Sequence, residues 1–333
     1  MIDNFIDAHV HLNTKSTAKI EMAKVFGARF LSINTTIPFF EGLKGQEAVI
    51  QQLQQEYPNR IAYITSFDNK YWNTKEWLPR ALSQIENGVA NGAVGVKIWK
   101  NIGMDKNFKD DDGNFVMIDD SRFNPIFEYL IENDILLVGH QGEPRNCWLA
   151  LDEMTVESDR EYFLNHPEYY MHSKPNYPSY ERHMQARDNV LRKYPDLKFV
   201  GLHLFSLEYN LEEVAKRLEE FPNSKTDVAG RICHVQFQAM QNREKVRDFF
   251  IEYQDRIIYG TDVIDDGSMK EKDLAEHFRN LWLYHWEFFS TSKVLEAPQF
   301  EGSFRGLALP ETILEKLFRV NAQKTYGFKN NCK

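Results

Sequence analysis

His9 and His11 stand one residue apart in Ile6-Asp7-Ala8-His9-Val10-His11. In an extended strand, residues i and i+2 face the same side. Both imidazoles can therefore reach one cation, and neutral imidazole is a common metal ligand. Such a pair is a weak signal by itself. Further metal-competent side chains close other short apolar runs: Lys97 in Val96-Lys97-Ile98-Trp99, His140 in Leu137-Val138-Gly139-His140, His203 in Val200-Gly201-Leu202-His203 and Asp262 in Tyr259-Gly260-Thr261-Asp262. Singly, each has a structural explanation: a satisfied core histidine, an ion pair or a helix cap. Packing does not readily explain all of them at the ends of apolar runs.

The elements that must position them follow from periodicity. Short β-branched runs occur at 5–10, 29–34, 60–66, 93–99, 135–140, 198–203, 226–231 and 256–261. Between them, apolar residues recur at helical spacing over 45–57, 77–90, 123–133, 180–194, 211–221 and 243–253, with further helices at 273–289 and 310–326. Strand–helix alternation predicts a parallel sheet of the α/β class. Eight such units predict a closed (β/α)8 TIM barrel, one domain over 1–333, with the chemistry-bearing strand ends at one mouth. Two long connections, at about 101–121 and 141–179, leave strands on that same face and read as lid loops.

The ordered set of motifs is similar to the amidohydrolase superfamily of metal-dependent hydrolases, and most to its amidohydrolase-2 branch, which also contains decarboxylases and lactonases. The carrying residues are the His9/His11 motif, Gly95-Val96-Lys97, Gly139-His140, Gly201-Leu202-His203, Tyr259-Gly260-Thr261-Asp262 and the closing Val320-Asn321-Ala322-Gln323-Lys324-Thr325-Tyr326-Gly327. The resemblance implies that His9, His11 and Asp262 bind a divalent metal, zinc first, with manganese, iron or nickel as alternatives. It makes His140 the fifth-strand ligand. It makes His203 either a ligand of a second metal or a catalytic histidine that polarises the substrate carbonyl. Lys97 is then either a carbamylated bridge between two ions or a free amine holding a substrate oxygen. Asp262 would take the proton of a metal-activated water and return it to the leaving group. The expected reaction is hydrolysis of a lactone, ester or amide. Non-oxidative decarboxylation is the alternative, and a catalytically silent metal-binding barrel the third reading.

For the substrate side, Arg145 is the candidate for an anionic group, because a guanidinium forks onto a carboxylate. Glu143 and Trp99 are the other candidate lining residues. His166, His172 and His183 lie off the strand ends and read as structural or lid residues. Asp110-Asp111-Asp112-Gly113 resembles part of a calcium loop but lacks the later glutamate, so it reads as a solvated turn.

Composition narrows the rest. Lys+Arg total 40 against 49 Asp+Glu, a net charge of −9. That argues against a nucleic-acid binder, which needs clustered cations. No run approaches the ~20 apolar residues of a membrane helix. Met1-Ile2-Asp3-Asn4-Phe5 has no basic n-region and no long apolar stretch and is not expected to act as a signal peptide, and Cys147, Cys233 and Cys332 lack the spacing of a disulfide framework or thiolate cage. A small-molecule substrate, no nucleic-acid or membrane partner, and a cytoplasmic location are expected, with a homo-oligomer left open.

Overall fold

The computed structural model describes residues 4–329. Parallel strands β1 (Ile6–Leu12), β2 (Arg29–Ile33), β3 (Ile61–Ser66), β4 (Val96–Ile98), β5 (Leu137–Gly139), β6 (Phe199–Gly201), β7 (Ser224–Asp227), β8 (Ile257–Ile258) and β9 (Val263–Asp265) form one sheet. Its order is β8-β7-β6-β5-β4-β3-β2-β1-β9. The two ends of that order belong to one stretch of chain. Ile257 and Ile258 pair with β7, and Val263–Asp265 pair with β1. Between them, Ala8 N donates to Tyr259 O at 3.1 Å and Asp262 N to His9 O at 2.8 Å. The sheet therefore closes on itself as a (β/α)8 barrel.

This stretch is where the expected strand 256–261 departs from the structure. Asp262 has φ 66, in the left-handed region. Aspartate is one of the few side chains that tolerates that region, and the ladder breaks there into β8 and β9.

A second irregularity decides which residues face the mouth. Asp7 pairs with Phe30 and Val10 with Ser32, so β1 holds one residue more than β2 across this interval. Such a bulge re-aims side chains. Before it, Ile6 and Ala8 pack inside the barrel with Leu31, Ile33, Ile64, Val138, Val200 and Ile258, above Tyr326. After it, Val10 and Leu12 join the outer core beneath the helices. His9 and His11 are thereby turned inward, on top of the barrel's own apolar filling.

The seventh strand was expected at 226–231 but ends at Asp227. Val228 and Ala229 are buried and apolar, which imitates a strand, but the chain turns at Gly230 (φ 62) into the helix Ile232–Glu252. That helix begins well before the expected 243. The expected helix 310–326 is found as Glu311–Glu315, a wider turn Lys316–Val320, and Asn321–Tyr326. The helix Ala18–Val25 and the hairpin Val294–Glu296 with Ser303–Arg305 were not anticipated.

The lid loops lie over the mouth. The connection after β5 contains an unforeseen helix, Glu157–Asn165, of which only Phe163 is buried. With one apolar anchor it shows no amphipathic stripe to read. In the connection after β4, the Asp110 carboxylate accepts from the backbone of Asp112 and Asn114, as a self-satisfied turn does. Cys147 and Cys233 are free thiols, while Cys332 and Met1-Ile2-Asp3 lie outside the described residues. Among the described residues no helix is long and apolar enough to cross a membrane.

Candidate active site

His9 and His11 leave the bulge with their rings pinned from behind. His11 Nδ1 lies 2.7 Å from Ile33 O. A carbonyl only accepts, so Nδ1 carries the proton and Nε2 presents its lone pair to the mouth. His9 Nδ1 donates in the same way to the buried Asp227 Oδ2 at 2.7 Å. Asp262 Oδ1 stands 3.2 Å from His9 Nε2 and 3.4 Å from His11 Nε2. These ligand atoms all lie within 4.8 Å of one another. Two lone pairs and a carboxylate oxygen thus converge, and His9 Nε2 is buried with no hydrogen-bond partner among the described residues. Acceptors facing acceptors repel unless a cation or proton lies between them. Two imidazoles and a carboxylate suit a borderline divalent metal.

Asp227 is the residue that sequence reading missed. Its Oδ2 holds His9, and its Oδ1 accepts from His203 N at 2.6 Å. The signal was an acid in Lys225-Thr226-Asp227, hidden because the strand was drawn past it. His203 begins a run of four left-handed residues, His203–Ser206, with φ between 54 and 58. Left-handed backbone costs ~1–2 kcal/mol per non-glycine residue. The run is secured by Arg187, which donates to Phe205 O, and by Tyr180, whose hydroxyl donates to Ser206 O. It points the His203 ring into the cavity, with Nδ1 on Ala229 O at 2.8 Å. The His203 centroid lies 4.8 Å from that of His9 and 4.2 Å from that of His140. His140 stands beside the His9–His11–Asp262 group rather than within it, and its Nε2 is buried without a partner among the described residues.

Electrostatics favour cation capture. Burial, assisted by neighbouring cations, holds the His140 ring well below the ordinary histidine range. Burial likewise holds His203 well below it, with His140 adding to the effect, and lowers His11. These rings are neutral ligands. Burial alone would raise Asp262, but His9, His203 and His11 hold it well below the usual carboxylate range, so it stays ionised.

Lys97 is buried on β4 with no hydrogen bond or ion pair among the described residues. Burial lowers it to about 8, against the pull of Asp262 and Asp227. Lys100 is pushed down to about 7 by burial and then by Arg231, and it pairs with Glu143. Trp99 lies under the Lys100 ammonium, 5.6 Å from nitrogen to ring centre. A cavity of about 340 Å³ joins these groups, with Lys97, Lys100 and Arg231 in its wall and Trp99, Glu143 and the lid's Tyr162 around them.

Arg145 does not share that wall. Its guanidinium stacks on Tyr209 at 4.5 Å, and its backbone N donates to Glu208 Oε1 at 2.8 Å. Arg145, expected to meet the substrate, begins the short turn Arg145–Trp148 after Pro144 and is not among the residues lining this cavity. Arg231 is the guanidinium that faces in, with one donor on Gly230 O at 2.8 Å and Nε buried without a partner among the described residues. His166, His172 and His183 do not line the cavity.

The family model described as Amidohydrolase (Amidohydro_2) matches residues 6–328. Among curated proteins none matches the sequence. Solved structures share the fold. A 2,6-dihydroxybenzoate decarboxylase from Rhizobium is 12% identical with a TM-score of 0.57, covering 98% of this chain and 99% of that one. A Pseudomonas putida protein, provisionally named a 2-pyrone-4,6-dicarboxylic acid hydrolase, is 12% identical with a TM-score of 0.52, covering 99% and 100%. A D-hydantoinase from Thermus sp. is 12% identical with a TM-score of 0.52, covering 98% of this chain and 71% of its own. The chain belongs to the amidohydrolase family of metal-dependent enzymes.

Proposed function

We propose that the protein is a metal-dependent hydrolase acting on a carbonyl, in a lactone, ester or amide, of a small anionic substrate. One observation carries this reading: His9 Nε2, His11 Nε2 and Asp262 Oδ1 converge beneath a wall that presents Lys97, Lys100 and Arg231. His9, His11 and Asp262 would hold one divalent ion, zinc first by donor set, with His140 beside them. Such an ion lowers the pKa of a water toward ~7 and polarises a carbonyl.

The chain's own residues supply the rest. Asp262, kept ionised by its histidines, accepts the proton of a water made acidic and passes it to the leaving group. His203 acts differently from the sequence expectation. With Nδ1–H on Ala229 O, its neutral ring offers only a lone pair to the cavity and cannot donate to a carbonyl oxygen. Donation to developing negative charge falls to Lys97, which has no carboxylate partner of its own. Arg231 and Lys100 hold the substrate's anionic group.

We assign one ion and a free Lys97 amine. The other candidate grouping, His9–His203–Asp227, has its carboxylate oxygens already engaged by His9 Nδ1 and His203 N. A second reading, non-oxidative decarboxylation, draws support from that same unpaired Lys97, which suits a substrate carboxylate placed beside the ion. Turnover in heavy-oxygen water separates the two. Hydrolysis places the label in the product acid, whereas decarboxylation leaves the organic product unlabelled. Two metal ions per chain would contradict the one-ion assignment.

A further inference from the structure

A second cavity of about 450 Å³ adjoins the first, and the two share Trp99, Lys100 and Tyr169 as walls. Its chemistry differs from that of the metal cavity. Rings from Trp99, Tyr169 and Tyr177, thioethers from Met104 and Met171, and Pro38 make up its apolar surface, while Asn101, Asp105, Lys106, Asn107 and Glu168 add polar lining. Three lysines, Lys100, Lys106 and Lys174, stand among them. Lys100 sits at the neck, 5.6 Å from the Trp99 and Tyr169 ring centres, and Lys174 lies 5.3 Å over Tyr177.

Both walls are built from the lid connections, Trp99–Asn107 after β4 and Glu168–Tyr177 after β5. The walls are supported from behind. A Cβ on Gly103, at φ +96, would come within 2.5 Å of the His183 ring, whose centroid lies 5.6 Å from that of Trp148. The short turn holding Met104 therefore lies closely against the helix Tyr180–Lys193.

Ligand cavities of roughly 300–1,000 Å³ are mostly apolar, with a few convergent polar groups. Here the two properties are divided between adjoining spaces. The metal cavity is polar and cationic, and the groove is aromatic and sulfur-lined. Rings and thioethers attract aromatic guests through edge and face contacts.

We infer that the groove between Trp99, Tyr169 and Tyr177 is a second substrate subsite that takes a flat aromatic arm, while the arm's anionic head lies in the Lys97–Arg231 cavity. This rests on the anionic-substrate reading above and extends it. The occupant is set by continuity, since the groove shares its neck with the metal cavity, and by Lys100 at that neck, which matches an acid entering head first.

The test is equilibrium binding of benzoate and biphenyl-4-carboxylate to the full-length, metal-loaded protein. Wild type should bind the biphenyl acid about tenfold or more tightly than benzoate. Met104→Trp, which fills the groove, and Tyr177→Ala, which removes a wall, should each cut that advantage below about threefold, with benzoate affinity within about twofold of wild type. Circular dichroism identifies a variant that fails to fold, in which case the other variant decides. Equal binding of the two acids overturns the subsite and leaves the anionic-substrate reading standing. An undiminished advantage in the folded variants places the ring elsewhere and also overturns it. Failure of both acids to bind removes the anionic-substrate reading and the subsite with it.

Discussion

His9 and Arg231 reach the site from different elements and are held in opposite ways. His9 is fixed at Nδ1 by the buried Asp227, on a strand whose bulge leaves the ring one direction to face. Arg231 hangs from the loop after β7, with a single donor on the neighbouring Gly230 O. The same contrast runs through the site. The proposed metal-binding floor is made of strand ends, with the His9 and His11 rings each pinned by an acceptor-only group. The cationic wall is made largely of loop residues with donors to spare. A preorganised floor fixes which bond can be broken, and a wall of unspent donors fixes which molecule is held there. The inward cations are also the local exception in a chain whose net charge is −9.

Substitutions can break this division. Asp262→Asn removes a floor group proposed to bind both cation and proton, and should lower kcat by about 10²–10⁴-fold with the fold intact by circular dichroism. Asp227→Asn leaves every proposed ligand in place but loosens His9. It should weaken metal affinity by about 10–100-fold in a chelator competition, because the partner that orients a ligating histidine is lost. Arg231→Met alters only the wall, so KM should rise by about tenfold while kcat stays within about threefold.

The pH profile sharpens the same contrast. Lys97 is lowered by burial to about 8, and only its ammonium form attracts an anion. It is charged below that pH and neutral above, so kcat/KM should fall as pH rises past about 8, after an earlier decline near 7 as Lys100 loses its proton. A bound cation would move the fall to lower pH, and Lys97→Met should remove this alkaline limb. The smallest effect is expected at Arg145→Ala, which touches Tyr209 and not the cavity, with KM within about twofold of wild type.

The barrel was legible because its strands are buried on both sides and read as apolar runs. Trp77–Ala90 appears with the bounds its periodicity predicts. The strand-end residues were legible because polar side chains closing such runs stand out. What escaped depended on backbone conformation. The left-handed φ at Asp262 splits an expected strand, and the turn at Gly230 ends another early. That turn hid Asp227 inside an apparent strand and placed Arg231 in the wall instead of Arg145. The bulge in β1 was equally invisible, because alternation alone would put His9 on the side opposite Ala8. The lid helix Glu157–Asn165 buries one residue and carries almost no pattern.

The central claim is that two strand-borne imidazoles and the Asp262 carboxylate hold one divalent ion. Anomalous scattering from crystals of the zinc-loaded protein tests it most directly. The account predicts one strong peak bounded by His9 Nε2, His11 Nε2 and Asp262 Oδ1, lost in His11→Ala. A cation bound elsewhere, or no peak at that position at saturating zinc, would contradict it.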